Sequence, residues 1–319
     1  MLVGVLFALA AGAMWGLIFI GPELIPEYPA ALQSVGRYLA FGLISLPLAW
    51  QDRKRLCALS GADWLEALKL AAIGNLLYYF FLSSAIQQIG VPISSMIIGV
   101  LPVVVAIFSN IKYSHRDGKF AWRSLFPSLA LVLAGLVCVN LAELRDNTGQ
   151  YDAQTYLSGV IFAFMAVACW TWYPMRNANW LRINTTKSPV TWATAQGIAT
   201  LPLAIMGYGL VWYQLRLVQP SFDMPLGPRP WVFIALMSTI GLLCSWLGTL
   251  CWNQASQRLP TALAGQLIVF ETLAGLTYAF MLRQELPSLL TIIGVITLMA
   301  GVLKSFRIKR VMPSAESRQ

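Results

Sequence analysis

Charge is scarce in this chain. Only 11% of its 319 residues are Asp, Glu, Lys or Arg, whereas 58% are hydrophobic and the mean hydropathy is +0.67. Soluble domains carry about 25% charged residues, so a water-soluble fold of this length is excluded. Histidine is nearly absent: the one copy, His115, falls in a basic loop. The five cysteines, Cys57, Cys138, Cys169, Cys244 and Cys251, show no CxxC or other ligand spacing, and four lie inside hydrophobic runs. They read as small apolar fillers, neither disulfide partners nor metal ligands. No GxxxxGK[ST] phosphate loop occurs, so ATP is not the direct driver of any process here. Membrane-embedded proteolysis or metal chemistry needs a Ser–His pair, two facing carboxylates or a His/Cys cluster. The chain supplies none of these, so neither an enzyme nor a cofactor is expected. The N-terminus lacks a basic n-region, and its apolar run is long enough to stay as a membrane span, not a cleaved signal.

Long apolar runs are what the chain does have. Val91–Ile111 and Leu125–Leu141 contain no charge at all, and about 20 such residues cross the hydrocarbon layer. The pattern predicts an all-α integral membrane protein with ten spans, near 2–20, 29–50, 64–87, 91–111, 124–142, 155–175, 189–212, 231–254, 261–282 and 288–306. Gly90 and Pro92 end span three and start span four; Leu259 and Pro260 do the same between spans eight and nine.

Lys and Arg gather in one set of loops: 53–55, 112–123, 176–187, Arg258 and the tail from Lys304. The alternate loops hold Arg145, Arg216, Arg229 and Arg283, accompanied by acids such as Glu23, Glu27, Asp152 and Asp223. This asymmetry predicts a multi-pass protein of the cell membrane with both termini cytoplasmic; in a Gram-negative bacterium that is the inner membrane. The net charge of +9 is thus a topological signal. Nucleic acid is not an expected partner, and the oligomeric state cannot be read.

The first half is echoed by the second. Gly4, Val5, Phe7, Ala8, Ala11, Ala13 and Trp15 recur 155 positions later as Gly159, Val160, Phe162, Ala163, Ala166, Ala168 and Trp170. Gly42 and Leu46-Pro47 map by the same offset onto Gly197 and Leu201-Pro202. Beyond a Pro-rich insert near 213–230 the offset becomes 167, carrying Trp64, Gly74, Leu76 and Gln87 onto Trp231, Gly241, Leu243 and Gln254. Five spans per half is an odd number, so the halves are expected to be inverted relative to each other. Transporters built this way bind solute near the midplane, where the halves meet.

Ionisable groups at depth are costly, at about 2.5–3.5 kcal/mol each, and each one is therefore informative. Glu271, near the middle of span nine, is suited to carry a proton, attract a cation or pair with an internal Arg; its structural alternative is a protonated acid tying two helices together. Arg37 in span two is a gating or structural candidate, slightly favoured as an anchor. Glu66 and Lys69 are spaced for a local i, i+3 pair. Asn75, Tyr78 and Tyr79 fall on one side of span three by spacing. The offset sets Tyr78 against Ser245 and Tyr79 against Trp246. With Trp15 and Trp170 they suggest an aromatic-walled cavity, against the alternative of ordinary packing. Gln266 precedes Glu271 by five residues, about 140° around a helix. Trp50, Trp64, Trp180, Trp212 and Trp231 suit interfacial belts. Pro102 is expected to kink span four, for gating or for packing.

At these residues the chain resembles the drug/metabolite transporter superfamily in its EamA-like branch. The resemblance runs over about 2–306 and rests on Trp15-Gly16, Arg37, Leu101-Pro102, Trp170, Glu271, the Arg283-Gln284-Glu285-Leu286 stretch, Gly294 and Gly301. It implies one EamA-type repeat over 1–143 and a second over 144–306, enclosing a central cavity, with a basic cytoplasmic tail over 307–319. It implies export of small metabolites, amino acids or amphipathic and aromatic compounds, by alternating access and commonly coupled to protons. The partners implied are a small-molecule substrate, protons and the bilayer. A proton-independent facilitator or exchanger is the alternative; a membrane sensor or scaffold is a further one. Two departures stand out. Thr272 replaces the usual Pro after the span-nine acid, and Gln284 replaces the usual Gly before Glu285, whose place at a membrane edge suggests a structural role.

Overall fold

The computed structural model describes residues 1–112, 119–146, 152–284, 286–306, 308 and 310–311. His115, Glu285 and most of the basic tail lie outside them. The regular secondary structure of the described residues is helical apart from a two-residue antiparallel pairing of Lys119–Phe120 with Arg310–Val311.

Six described helices are long and apolar enough to cross a membrane: Leu2–Leu24, Gly61–Val91, Ala153–Ile183, Pro189–Val218, Pro230–Arg258 and Leu263–Leu282. The other four expected spans fall short for local reasons. Ala30–Gln51 is a continuous helix, but buried Gln33, Ser34, Arg37 and Ser45 dilute its hydropathy. The apolar stretches Trp122–Cys138 and Leu289–Lys304 are shorter. Span four is interrupted: one helix ends at Ile98 and the next runs Leu101–Lys112. Pro102 therefore does not kink a continuous helix. It is the second residue of a new one, where a missing N–H costs nothing.

Helix ends follow local sequence. Ser60 and Asp63 close a capping box, Asp152 accepts from the Gln154 and Thr155 amides, and Ser188 precedes Pro189 at a helix start. Gly90, at φ 75°, turns the chain between spans three and four. Spans three and eight each contain a π-helical stretch, Leu70–Leu77 and Gly241–Leu247, which are matched by the 167 offset at Gly74 and Gly241. Span nine breaks at Ile268, between Thr261–Leu267 and Val269–Arg283.

The most extensive packing joins the halves: span one on eight, two on seven, three on six, four on nine and five on ten. In lipid such contacts depend on close fit, and small residues supply it. Gly42 lies under Leu201, and its counterpart Gly197 lies under Ser45 and Phe41. A Cβ on Gly16 would fall 2.6 Å from Ala274 Cβ and 2.7 Å from the Gly275 amide, so the glycine lets span one ride against span nine.

Candidate functional site

Span nine carries Glu271 into the centre of the molecule. The break at Ile268 puts it in the first turn of the helix Val269–Arg283, where the helix dipole favours an anion. Glu271 is 1% exposed. Tyr78 donates its hydroxyl to Oε1 at 3.4 Å, while Oε2 has no partner. The Trp170 indole lies beside the carboxylate without completing a hydrogen bond. None of the described ion pairs includes Glu271.

Aromatic rings surround this acid. Trp170 stacks between Tyr78, at 4.7 Å, and Tyr173, at 4.9 Å, and meets Trp15 edge to face at 5.0 Å. Trp15 also touches Trp252 at 5.3 Å and donates to the Cys244 carbonyl at 2.7 Å. Gly248 leaves room for the Trp15 indole. Trp15, Tyr78, Trp170 and Glu271 are all buried. Described cavities of several hundred Å³ lie elsewhere, one of them against the ends of spans nine and ten.

The other candidates are distributed around this centre. Tyr79 sits under Arg37, whose guanidinium is 4.5 Å from its ring and 4.9 Å from that of Tyr38. Arg37 Nε donates to Ser245 Oγ at 3.0 Å, and Nη1 has no partner. Asn75 donates to Thr200 at 3.3 Å, and Trp246, half-buried, to Thr194 at 3.4 Å; both tie to span seven. Tyr78, Tyr79 and Asn75 thus serve three different neighbours, although spacing set them on one side. Gln266 is buried with Oε1 unpartnered, on the far side of the Ile268 break from Glu271. Pro102 is buried at a helix start.

Tyr173 and Trp252 were not singled out by the sequence, and Cys244, read there as a small apolar filler, is buried at the centre. Their partners lie in other spans, and only Trp252, as one more tryptophan, carried any signal.

Both ends of the centre are closed by contacts between the halves. At the end carrying the basic loops, Lys187 meets Asp63 at 2.6 Å and Trp180 donates to Asp63 at 3.0 Å. Glu66 takes Arg176 at 2.9 Å instead of its expected neighbour Lys69. Within the second half, Arg182 reaches the carbonyls of Ser256 and Leu259 at the same end. Trp180 is 8% exposed and stacked on Trp192, so it is an internal residue and not a belt residue. Trp50 and Trp231 are exposed as belt residues would be. At the opposite end Tyr28 donates to the Leu226 carbonyl at 2.8 Å, and Arg229 binds Glu27 at 2.8 Å. The Arg229 hydrogen bonds hold the Glu27 carboxyl below its ordinary value, and the same bonds raise Arg229.

This geometry can be set beside known proteins. The profile of the EamA-like transporter family matches residues 2–141. The inner membrane protein YtfF of Escherichia coli K12 is 56% identical over 317 residues, covering 99% of both chains. The chain belongs to the EamA-like transporter family. It is accordingly a multi-pass membrane transporter of that class and not an enzyme. An uncharacterized transporter of Archaeoglobus fulgidus is 25% identical over 264 residues, 82% of this chain and 83% of that one. A solved crystal structure superposes with a TM-score of 0.70 over 95% of this chain and 96% of the other, at 16% identity; this likeness concerns the fold alone.

Proposed function

We propose that this protein is a proton-linked secondary transporter that exports small metabolites, amino acids or amphipathic and aromatic compounds, by alternating access. One observation carries the reading: Glu271 is a buried acid with an unpartnered oxygen, flanked by the Tyr78 and Trp170 rings of spans three and six, which pack in turn on Trp15 of span one. An acid so placed suits a group that exchanges a proton for solute. The stacked rings offer flat or apolar solutes a surface once the halves separate.

The architecture in this reading is ten spans, as two inverted five-helix repeats over 1–143 and 144–306 with a basic tail over 307–319. The matched π-helical stretches and the pairing of each span with one of the other half support it. The charge asymmetry supports cytoplasmic termini, and the YtfF relative supports the inner membrane. The contacts at Asp63–Lys187 and Glu27–Arg229 then act as inner and outer latches, released in turn as the halves rock.

Proteoliposomes holding purified protein, an imposed pH gradient and a panel of amino acids and aromatic solutes test this. The reading expects solute flux accompanied by proton movement. Flux of a solute without proton movement would favour a facilitator. If folded protein moves none of the panel, the transporter reading fails for these solute classes.

A further inference from the structure

Arg37 is a second buried charge; Glu271 acts on it only through space, and no described ion pair joins the two. It is 3% exposed, and its guanidinium stays charged at any physiological pH. Buried charges are ordinarily paired. None of the described ion pairs includes Arg37. Its Nε binds Ser245 Oγ at 3.0 Å, and Nη1 is buried with no partner. The ring beneath it, Tyr79, carries a buried hydroxyl that also has no partner. Any Cβ on Gly21 would stand 2.9 Å from that hydroxyl, so the glycine keeps it clear. Ser245 belongs to the π-helical stretch of span eight, and Tyr79 lies two residues past the end of that of span three. Such stretches recur at functional sites.

Two unpartnered donors, a fixed positive charge and a serine hydroxyl are therefore held on three neighbouring side chains, Arg37, Tyr79 and Ser245, from spans two, three and eight. A carboxylate answers all of them: it is negative and planar, and it accepts through two oxygens in the fork geometry of a guanidinium. We propose that Arg37, Ser245 and Tyr79 form a subsite for the carboxylate of the transported solute. Tyr78 neighbours both Arg37 and Glu271, so this subsite adjoins the aromatic centre. A solute with a carboxylate at Arg37 lays its apolar part against the Trp170 rings. The inference rests on the transporter reading and names what the site recognises.

The test is a thermal-shift titration of the purified full chain with 3-phenylpropionate and its neutral amide. Wild type, Arg37→Lys, Arg37→Gln and Tyr79→Phe are compared. A hydrogen bond to a charged group is worth about 1.5–3 kcal/mol, so about tenfold or more in affinity. The acid is expected to stabilise wild type at concentrations at least about tenfold below those the amide needs. That preference should shrink in Arg37→Lys and Tyr79→Phe and vanish in Arg37→Gln, the acid losing more affinity than the amide because only the acid loses a charge-assisted hydrogen bond. A merely structural arginine would lower the starting melting temperature in the variants without altering the acid-to-amide ratio. Should Arg37→Gln not fold, Arg37→Lys and Tyr79→Phe decide. Equal effects of acid and amide on wild type, no effect of either, or an undiminished preference in the variants overturns the subsite. Acid binding through Arg37 without flux of any carboxylate would sink the transporter reading alone; flux indifferent to the carboxylate would sink the subsite alone.

Discussion

Trp15 and Trp170, equivalent residues 155 positions apart, touch each other edge to face with ring centroids 5.0 Å apart and planes at 77°. One tryptophan comes from the first half of the chain and the other from the second. The contact thus marks the centre of the fold, and Glu271 lies beside it.

Trp170 touches three rings there, so its loss should be costly. Truncation of a large buried aromatic removes about 3–5 kcal/mol. Trp170→Ala should markedly lower the melting temperature in detergent, and Trp170→Phe, which keeps a ring, should lose much less. Equal losses for the two would contradict the ring contacts with Tyr78, Tyr173 and Trp15.

Gly16 faces backbone as well as side chain across span nine, and backbone cannot rotate away. Gly16→Val should cost at least about 1–3 kcal/mol by overpacking. Gly61 has open space around it, so Gly61→Ala should be neutral or slightly stabilising. Thermal unfolding of the two variants, side by side, checks both signs.

Gln284 ends the helix Val269–Arg283 in the left-handed region, at φ 55° and ψ 33°. The EamA-like pattern has a glycine at this place, and glycine adopts that conformation without a Cβ clash. Gln284→Gly should therefore stabilise the protein by about 1 kcal/mol, since a left-handed side chain costs about 1–2 kcal/mol. A lower melting temperature for the glycine variant would show that the Gln284 side chain makes contacts that outweigh the strain.

At the outer latch the Glu27 carboxyl is held below its ordinary value of 4.5 by Arg229. A lowered carboxyl contributes stability that is present above its unfolded value and is lost as pH falls through its folded value. Melting temperatures of wild type and Glu27→Gln should thus differ most at neutral pH and converge below about pH 4 as the Glu27 carboxylate protonates. A gap that stays constant from pH 7 to pH 3 would mean that Glu27 acts by packing, not by charge.

Much of this was legible in the residues. Trp15, Trp170 and Glu271 stood out because the repeat and the rarity of buried acids single them out, and the structure brings them together. Asn75 and Tyr79 were legible as polar or aromatic groups on span three but not in their partners, since a π-helical stretch shifts the register that spacing assumes. The break at Gly99–Val100 was signalled by Gly99 and Pro102, although it reads from sequence as a kink and not as a new helix start; the break at Ile268 left little trace, since isoleucine does not break helices by propensity. The Arg176–Glu66 and Trp180–Asp63 contacts depend on how the halves pack, which periodicity within one half does not encode.

The central claim is that Glu271 carries the coupled proton. Proteoliposomes with wild type and Glu271→Gln should be compared in two modes, accumulation driven by a pH gradient and solute exchange with no gradient. The account expects Glu271→Gln to lose gradient-driven accumulation while retaining exchange, because the solute site survives and only the proton site is gone. Gradient-driven accumulation at the wild-type level in Glu271→Gln would contradict it and leave the buried acid as a tie between helices.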